Sequence, residues 1–476
     1  MNNTLRKVLI CVAAVVALCA IVSIPVNQIA KNKLNAQLAG IAGATVHVDK
    51  VNVALLAGNV TLKDVDYALQ DSTGKGIKVE GKVEAVKLKG LRWSKLFKKE
   101  LALRKLQVEK ASASLVDSGS PMKASVKALS LSVSDIGVML DSGNVEYCDS
   151  LYSVSLDSLD YTDKTGLSRI LVGHLETADA GAIQATGLRF YNCVPMEQLA
   201  EKMGKVASMW YDAKLDTLHV DPVNIPRMVN SQKIELDRVS LSAPDVVIFQ
   251  DDRYKPAVPY PTIQESLNAS TMPINIKQIN AGIKNFTFIW ETAPGKKGSL
   301  PMYNIHADIN SVSNAHGNVM KLDARGARKG HCSATFALSV KNDKAETTNG
   351  KIQVKNLDVS AMDSFVGPLF GMTAKADIHQ IDAAFKGDKT KMSSDFCVRF
   401  DNLEVKAKES SVLTFLANTV LPKSNPVVAG TDPKEVAYSY ERDVMQPYPA
   451  YLVQCVTLGM LHTILPGSKV NKVGKK

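Results

Sequence analysis

One eight-residue word constrains this chain more than any other feature: apolar, polar, apolar, two non-apolar residues, apolar, polar, apolar. It reads VHVDKVNV from Val46, VTLKDVDY from Val60, VKLKGLRW from Val86 and LALRKLQV from Leu101. It returns as VSLDSLDY from Val154, IQATGLRF from Ile183, AKLDTLHV from Ala213 and IELDRVSL from Ile234. INIKQINA from Ile274, IQVKNLDV from Ile352, ADIHQIDA from Ala376 and VRFDNLEV from Val398 complete the set. Alternation with period two marks a strand that buries one face. The central pair shifts the alternation by one residue, which in a straight strand would turn the second apolar pair to the opposite face. A bulge at the pair restores a single apolar face and adds twist. The same offset recurs in word after word, which favours the bulge. Spacing between words is irregular, so no fixed-period solenoid is implied. Turn residues separate many words: Asp117-Ser118-Gly119-Ser120-Pro121, Ala293-Pro294-Gly295, Asn349-Gly350 and Lys386-Gly387-Asp388. The expected fold is mainly β, an elongated, twisted antiparallel sheet with one apolar and one polar face.

That apolar face must be covered, and few amphipathic segments exist to cover it. Pro195 to Lys214, with Leu199, Met203, Val206 and Trp210 at helical spacing, is one candidate, and Ser410 to Leu421 is another. The sheet therefore either folds over on itself as a closed sandwich or stays open as a trough. The alternation alone ranks the sandwich first, because buried alternation is usually core. Near the C-terminus, AYLVQCVTLGMLHTIL runs from Ala450 to Pro466-Gly467 and holds only Gln454 and His462 as strongly polar groups. It reads as a helix capping the sheet rather than one lying in a membrane interface. The tail that follows, GSKVNKVGKK, is basic.

Ahead of the strands, Val8 to Ile24 forms seventeen residues without a charge, preceded by Arg6 and Lys7. At about 1.5 Å per residue such a helix spans roughly 26 Å, the short end of a bilayer crossing. No small-residue cleavage pattern follows it, so the segment reads as an uncleaved signal-anchor. The expected organisation is a cytoplasmic N-terminus (1–7), the anchor (8–26), a juxtamembrane helix (27–43), the strand region (44–408), a C-terminal helical cap (409–467) and a basic tail (468–476). Everything after Lys31 then lies outside the cytoplasm of a single-pass protein. A net charge of +10 suits contact with anionic headgroups. Nucleic acid is excluded as a partner by the exported location. The seven cysteines contain no C-x-x-C pair, which leaves no zinc knuckle or redox motif and room for one disulfide.

Catalytic patterns are missing. The eight histidines show no H-E-x-x-H spacing, Gly74-Lys75 lacks the first glycine of a P-loop because Leu69 stands there, and no G-x-S-x-G elbow occurs. His47, His219 and His379 occupy polar positions of the word. The expectation is a non-enzyme without cofactor or metal.

Several stretches resemble the AsmA-like family of bacterial envelope proteins. They are VNVALLAGNVTLKDVDYAL from Val51, VEAVKLKGLRWSKLFKKELALRKLQVEKASASLV from Val83 and IELDRVSLSAPDVVIFQDDR from Ile234. INIKQINAGIKNFTFIWE from Ile274 and MTAKADIHQIDAAFKGDKTKMSSDFCVRFDNLEVK from Met372 are similar to the same family, with Ser393-Ser394 where a glycine is common. The resemblance is strongest to members from Bacteroidota and spans about two thirds of the chain. It implies a bridge-like lipid-transfer architecture, with residues 44–408 as an extended hydrophobic β-groove. The protein is then expected at the bacterial inner membrane with its bulk in the periplasm, shielding or transferring phospholipid acyl chains in support of outer-membrane lipid homeostasis. A periplasmic or outer-membrane protein partner is implied as well.

On that basis the groove candidates are Val60, Leu62, Val86, Leu88, Leu101, Leu103, Leu106, Val108, Leu236, Val239, Ile274, Ile276, Ile279, Phe286, Phe288, Val398 and Phe400. The candidates for headgroup contact are Lys31, Lys33, Arg92, Lys95, Lys98 and Lys99. The alternative is a structural tether or assembly factor with a closed sandwich core and no lipid cargo.

Overall fold

The computed structural model describes residues 35, 44–54, 57–70, 76–96, 98, 100–139, 145–147, 152–177, 181–224, 227–228, 231–328, 332–407, 421–428 and 430–464. The expected anchor, the basic tail and all but Asn35 of the juxtamembrane helix lie outside the described residues, as does the helix read over Ser410 to Leu421 except for Leu421. The architecture is mainly β, with one large, mostly antiparallel sheet and few helices. The chain divides into two compact units, Met1–Cys193 with Leu215–Asp237 and Val194–Lys214 with Arg238–Lys476.

In the first unit, β1 (Ala44–Ala54), β2 (Asn59–Gln70), β3 (Ile77–Lys89), β4 (Glu100–Asp117) and β5 (Lys123–Met139) form a meander, each strand antiparallel to the next. Shorter strands follow: β6 (Val145–Tyr147), β7 (Tyr152–Leu156), β8 (Ser158–Thr162), β9 (Ser168–Val172), β10 (His174–Thr177) and β11 (Ile183–Asn192). The long β5 carries β6, β7 and β8 along its far side. From there β7 leads through β10 to β11, and β8 through β9 to the same strand. A single helical turn, α1 (Trp93–Leu96), packs on β4. At β1, Asn35 donates to Val48 O at 3.1 Å and accepts from Val48 N at 2.9 Å, so its amide satisfies both backbone groups that the strand would otherwise leave unpaired there.

β12 (Ser208–Val220) and β13 (Ile234–Asp251) contribute residues to both units. The second unit begins with α2 (Leu199–Lys202). It continues with α3 (Ile263–Asn268) and the long hairpin β14 (Ile274–Ala293) and β15 (Lys296–Ser313). Then come β16 (Val319–Ala327), β17 (Ser333–Lys341), β18 (Thr348–Asp358), α4 (Asp363–Phe370), β19 (Met372–Gly387), β20 (Lys391–Ala407), β21 (Glu435–Glu441) and α5 (Tyr448–Ile464). The strands pair in chain order from β14 to β21. Their core gathers Leu338, Val340, Ile378, Ile381, Phe385, Phe396, Val398 and Phe400 beneath Tyr451, Leu452, Cys455 and Leu458 of α5.

The repeated word accommodates its offset without an inserted residue at Asp64 and Asn356, where the pairing continues with no change of register, so the expected bulge is replaced there by a left-handed residue. Its fifth residue takes a left-handed backbone at Asp64, Gly90, Gly187, Asn356 and Asn402, with φ between +52° and +65°. All five are Gly, Asn or Asp, the residue types that reach this region most cheaply. Words with lysine, serine, threonine, arginine or glutamine at that position do not adopt it. Apolar positions one, three, six and eight then share a face. In the word from Val60, Val60, Leu62 and Val65 are buried while Lys63 and Asp64 between them are exposed. The offsets also align across strands. Asp64 lies between Asp49 and Glu84, and the register of β3 with β4 brings Glu84 to Lys110, itself left-handed. Lys110 Nζ reaches Glu84 at 3.2 Å.

Three expectations are overturned. The helix read over Pro195–Lys214 lasts one turn, because Gly204 and Lys205 both take positive φ and end it. Trp210 belongs instead to β12, and Met203 is largely exposed. Asn349-Gly350 is not a turn: Gly350 lies inside β18, where a Cβ would meet the Phe385 ring at 2.1 Å. The chain reverses earlier, between Lys341 and Thr347. Finally, the region 409–467 is not a purely helical cap, because β21 extends the sheet beyond residue 408 before α5 begins.

Candidate functional site

The apolar face of the first unit is built by the words in register. One row runs Val51–Leu62–Val86–Val108–Leu131–Val154 across β1, β2, β3, β4, β5 and β7. Its first two members are buried and the next four half-buried. A neighbouring row places Val60 and Leu88, both buried, beside Leu106. Further along, a third row crosses seven strands as Leu69–Val79–Leu115–Ala124–Tyr161–Ile170–Phe190. Every side chain in it is half-buried. In this unit the helix α1 is one turn long and packs on β4. On the same face Val133, Tyr152, Leu156 and Ala185 are buried, so the apolar face from β4 to β11 is covered in part, and it is the third row that stays half-buried throughout.

The second unit differs. α5 lies over β19, β20 and β21, so closely that a Cβ on Gly459 would meet the Phe396 ring at 2.2 Å. Tyr438 Oη donates to the Cys455 carbonyl, and Tyr440 and Tyr451 meet edge to face at 5.5 Å. Burial pushes the Cys455 thiol up to about 12, which leaves it a packing group without nucleophilic character. At the end of the hairpin, α4 closes on β14 and β15 through Phe365, 6.4 Å from the rings of both Phe288 and Trp290. Between these covers the hairpin pairs Ile283 with Ile305 and Phe286 with Met302, all half-buried.

The groove candidates thus fall into three groups. Val60, Leu62, Leu88, Leu101 and Leu103 are buried in the first unit's core, with Val86, Leu106 and Val108 half-buried against it. Val398 and Phe400 are buried in the second unit's core, and Ile276 and Ile279 pack against it. Leu236, Val239, Ile274, Phe286 and Phe288 are half-buried. The row from Leu69 to Phe190 contains none of the seventeen. Tyr161 and Phe190 are the last positions of the words from Val154 and Ile183, whereas Leu69, Val79, Leu115, Ala124 and Ile170 lie outside any word.

Of the basic candidates, Lys95 binds Glu100 at 2.8 Å and Arg92 stands 4.0 Å from Asp135. Lys98 is exposed, and Lys31, Lys33 and Lys99 lie outside the described residues. A recess of the second unit, about 920 Å³, opens on the opposite, polar face. Its floor is Ala337, Ala384 and Ala437, with Asp323, Lys351 and Asp395 in the same cross-strand row. Acids and bases alternate there and single out no ligand chemistry.

No trio of histidine, cysteine or carboxylate side chains is placed to hold a metal among the described residues. Cys193, Cys332, Cys397 and Cys455 are free thiols. No described helix is long and apolar enough to cross a membrane. The chain matches no known protein-family profile and no curated protein.

Proposed function

We propose that this chain is a membrane-anchored, AsmA-like lipid-handling protein of the bacterial envelope, in which the apolar sheet face of the first unit shields phospholipid acyl chains. The observation that carries this reading is the row from Leu69 to Phe190: seven apolar side chains in cross-strand register, each partly open to water. A sheet normally buries such a face against another element, and a contiguous exposed apolar surface marks a binding site. At about 25 cal/mol per Å² of apolar surface removed from water, an acyl chain laid along it gains several kcal/mol. The uncharged run from Val8 to Ile24 supports an anchored protein, and the resemblance of the strand words supports the lipid class. The α5-covered face of the second unit favours a closed core there, so the tether reading applies best to that half.

Two aspartate variants separate open face from closed core. In Leu115→Asp the carboxylate meets water on a half-buried strand. The chain should stay folded with a modest loss of melting temperature, while phospholipid copurifying with it, read by mass spectrometry, falls several-fold. Val398→Asp buries an unpaired charge, costs several kcal/mol and should unfold the second unit. A wild-type chain that carries no phospholipid, or a Leu115→Asp chain that keeps its full complement, would contradict the proposal.

A further inference from the structure

Among the described residues, β21 pairs with β20 alone, in antiparallel register from Glu435↔Cys397 to Glu441↔Lys391. The Arg442 N–H donates to Thr390 O at 2.8 Å, and the Lys434 N–H donates to the Asn425 side chain at 2.8 Å. Even-numbered residues of this segment therefore turn their backbone groups toward β20. By alternation, Glu435, Ala437, Ser439 and Glu441 turn theirs the other way, and all four are exposed. Among the described residues, none of these outward N–H and C=O groups has a hydrogen-bond partner. Elsewhere the chain closes such edges. Beyond β21, Phe400 of β20 exchanges both backbone hydrogen bonds with Asn425, at 2.9 and 3.2 Å, and the Leu403 N–H donates to Lys423 O at 3.0 Å. At β1 the Asn35 amide satisfies Val48. An edge left open is a ladder ready for one more strand.

Charge says what that strand carries. On the polar face, Glu435 follows Asp382 and Cys397 in one cross-strand row, and Ala437 follows Ala384 and Asp395 in the next. Glu435 and Asp395 are exposed, and among the described residues neither stands in an ion pair, with Lys351 and Arg399 of the same face included. The recess on this face is lined by Asp395, Cys397, Glu435 and Ala437, so it runs out to the open edge. A strand added beside β21 lies two strand spacings, about 10 Å, from β20. A lysine or arginine opposite Ala437 spans that gap by lying across the alanine methyl to the Asp395 carboxylate, and a second one opposite Glu435 meets its partner directly. The residue between them falls on the other face, beside the half-buried Val436 and Tyr438, and is apolar.

We propose that β21 takes up an extended segment of a partner protein as an additional antiparallel strand, with basic side chains opposite Ala437 and Glu435. The proposal does not rest on the acyl-chain reading of the first unit. It is tested on the full chain in detergent micelles by fluorescence anisotropy of a labelled peptide as long as β21, TVTVKVK. Run antiparallel to the strand, its lysines fall opposite Ala437 and Glu435. Binding should be saturable and roughly tenfold tighter than that of TVTVEVE. N-methylation of the peptide residues opposite Ala437 and Ser439 should abolish it, because their N–H groups face β21. N-methylation of two valines, whose N–H groups point away, should leave it largely intact. Ala437→Pro removes an N–H that β20 does not use, so the variant should keep its melting temperature and lose the peptide. The proposal is overturned by an absence of saturable binding, by equal affinity for the two peptides, or by indifference to which N–H groups are methylated. It is also overturned if the parent chain self-associates as its concentration rises and Ala437→Pro does not, which would assign the edge to a second copy.

Discussion

Asn356 and Asn402 sit at φ +52° and +57° in the middle of strands, a backbone that a β-branched residue enters only under strain. Asn402→Val should therefore destabilise the second unit by about 1–2 kcal/mol. Asn402→Gly, which keeps the backbone accessible, should cost much less in the same urea titration. A valine variant as stable as the parent would mean that the strand straightens at no cost. Glu346 is a second informative residue. Its side chain is almost fully buried between Thr262, Glu265, Lys389 and Arg442, with one carboxylate oxygen unpartnered. Desolvation holds its pKa above the usual carboxylate value of 4.5 despite the nearby cations. The folded state therefore favours the protonated form. Its stabilising effect is complete below pH 4.5 and is lost as pH rises through the folded value. Relative to Glu346→Gln, which stays neutral, the parent should lose melting temperature between pH 4 and pH 7. A difference between the two that does not change with pH would show that the carboxylate is already compensated.

α5 is held against the sheet by close packing at a glycine. A methyl on Gly459 would reach the Phe396 ring at 2.2 Å, and that ring is itself buried. Gly459→Ala should cost about 1–3 kcal/mol by overpacking. The loss should appear first as faster amide exchange in Tyr448–Ile464, with the strands of the first unit unaffected. Uniform loss of protection across both units would instead indicate a single cooperative body. The helix was legible from its uncharged apolar run, and the single apolar face of the strands from the repeated offset in their alternation. The rule at position five was visible only in part, since the sequence names the residue but not which strand of a pair will bend. Pro195–Lys214 misled because Leu199, Met203, Val206 and Trp210 carry helical spacing, whereas Gly204 and Lys205 decide the backbone. Gly350 misled for the opposite reason: Asn-Gly is a strong turn signal, but this glycine serves the Phe385 ring across the strand pair. β21 stayed hidden because EVAYSYE is short and sits in a region dominated by the helix that follows.

At the scale of the whole molecule, the same word builds two different environments. In the second unit its apolar positions meet α5 and α4, and in the first unit several of them, such as Val86, Val108 and Val154, stay half-buried. The sequence pattern specified which residues share a face but not what covers that face, because coverage depends on contacts between segments far apart in the chain. The central claim is that acyl chains occupy the first unit's apolar face, and site-specific photocrosslinking tests it most directly. A photoreactive side chain placed at Leu131 sits on that face, in the row with Val108 and Val154, while one at Ser132 points to the opposite side of β5. After irradiation of the membrane-embedded chain, mass spectrometry should find phospholipid adducts at position 131 and essentially none at position 132. Equal labelling at both positions, or no lipid adduct at position 131, would contradict the account.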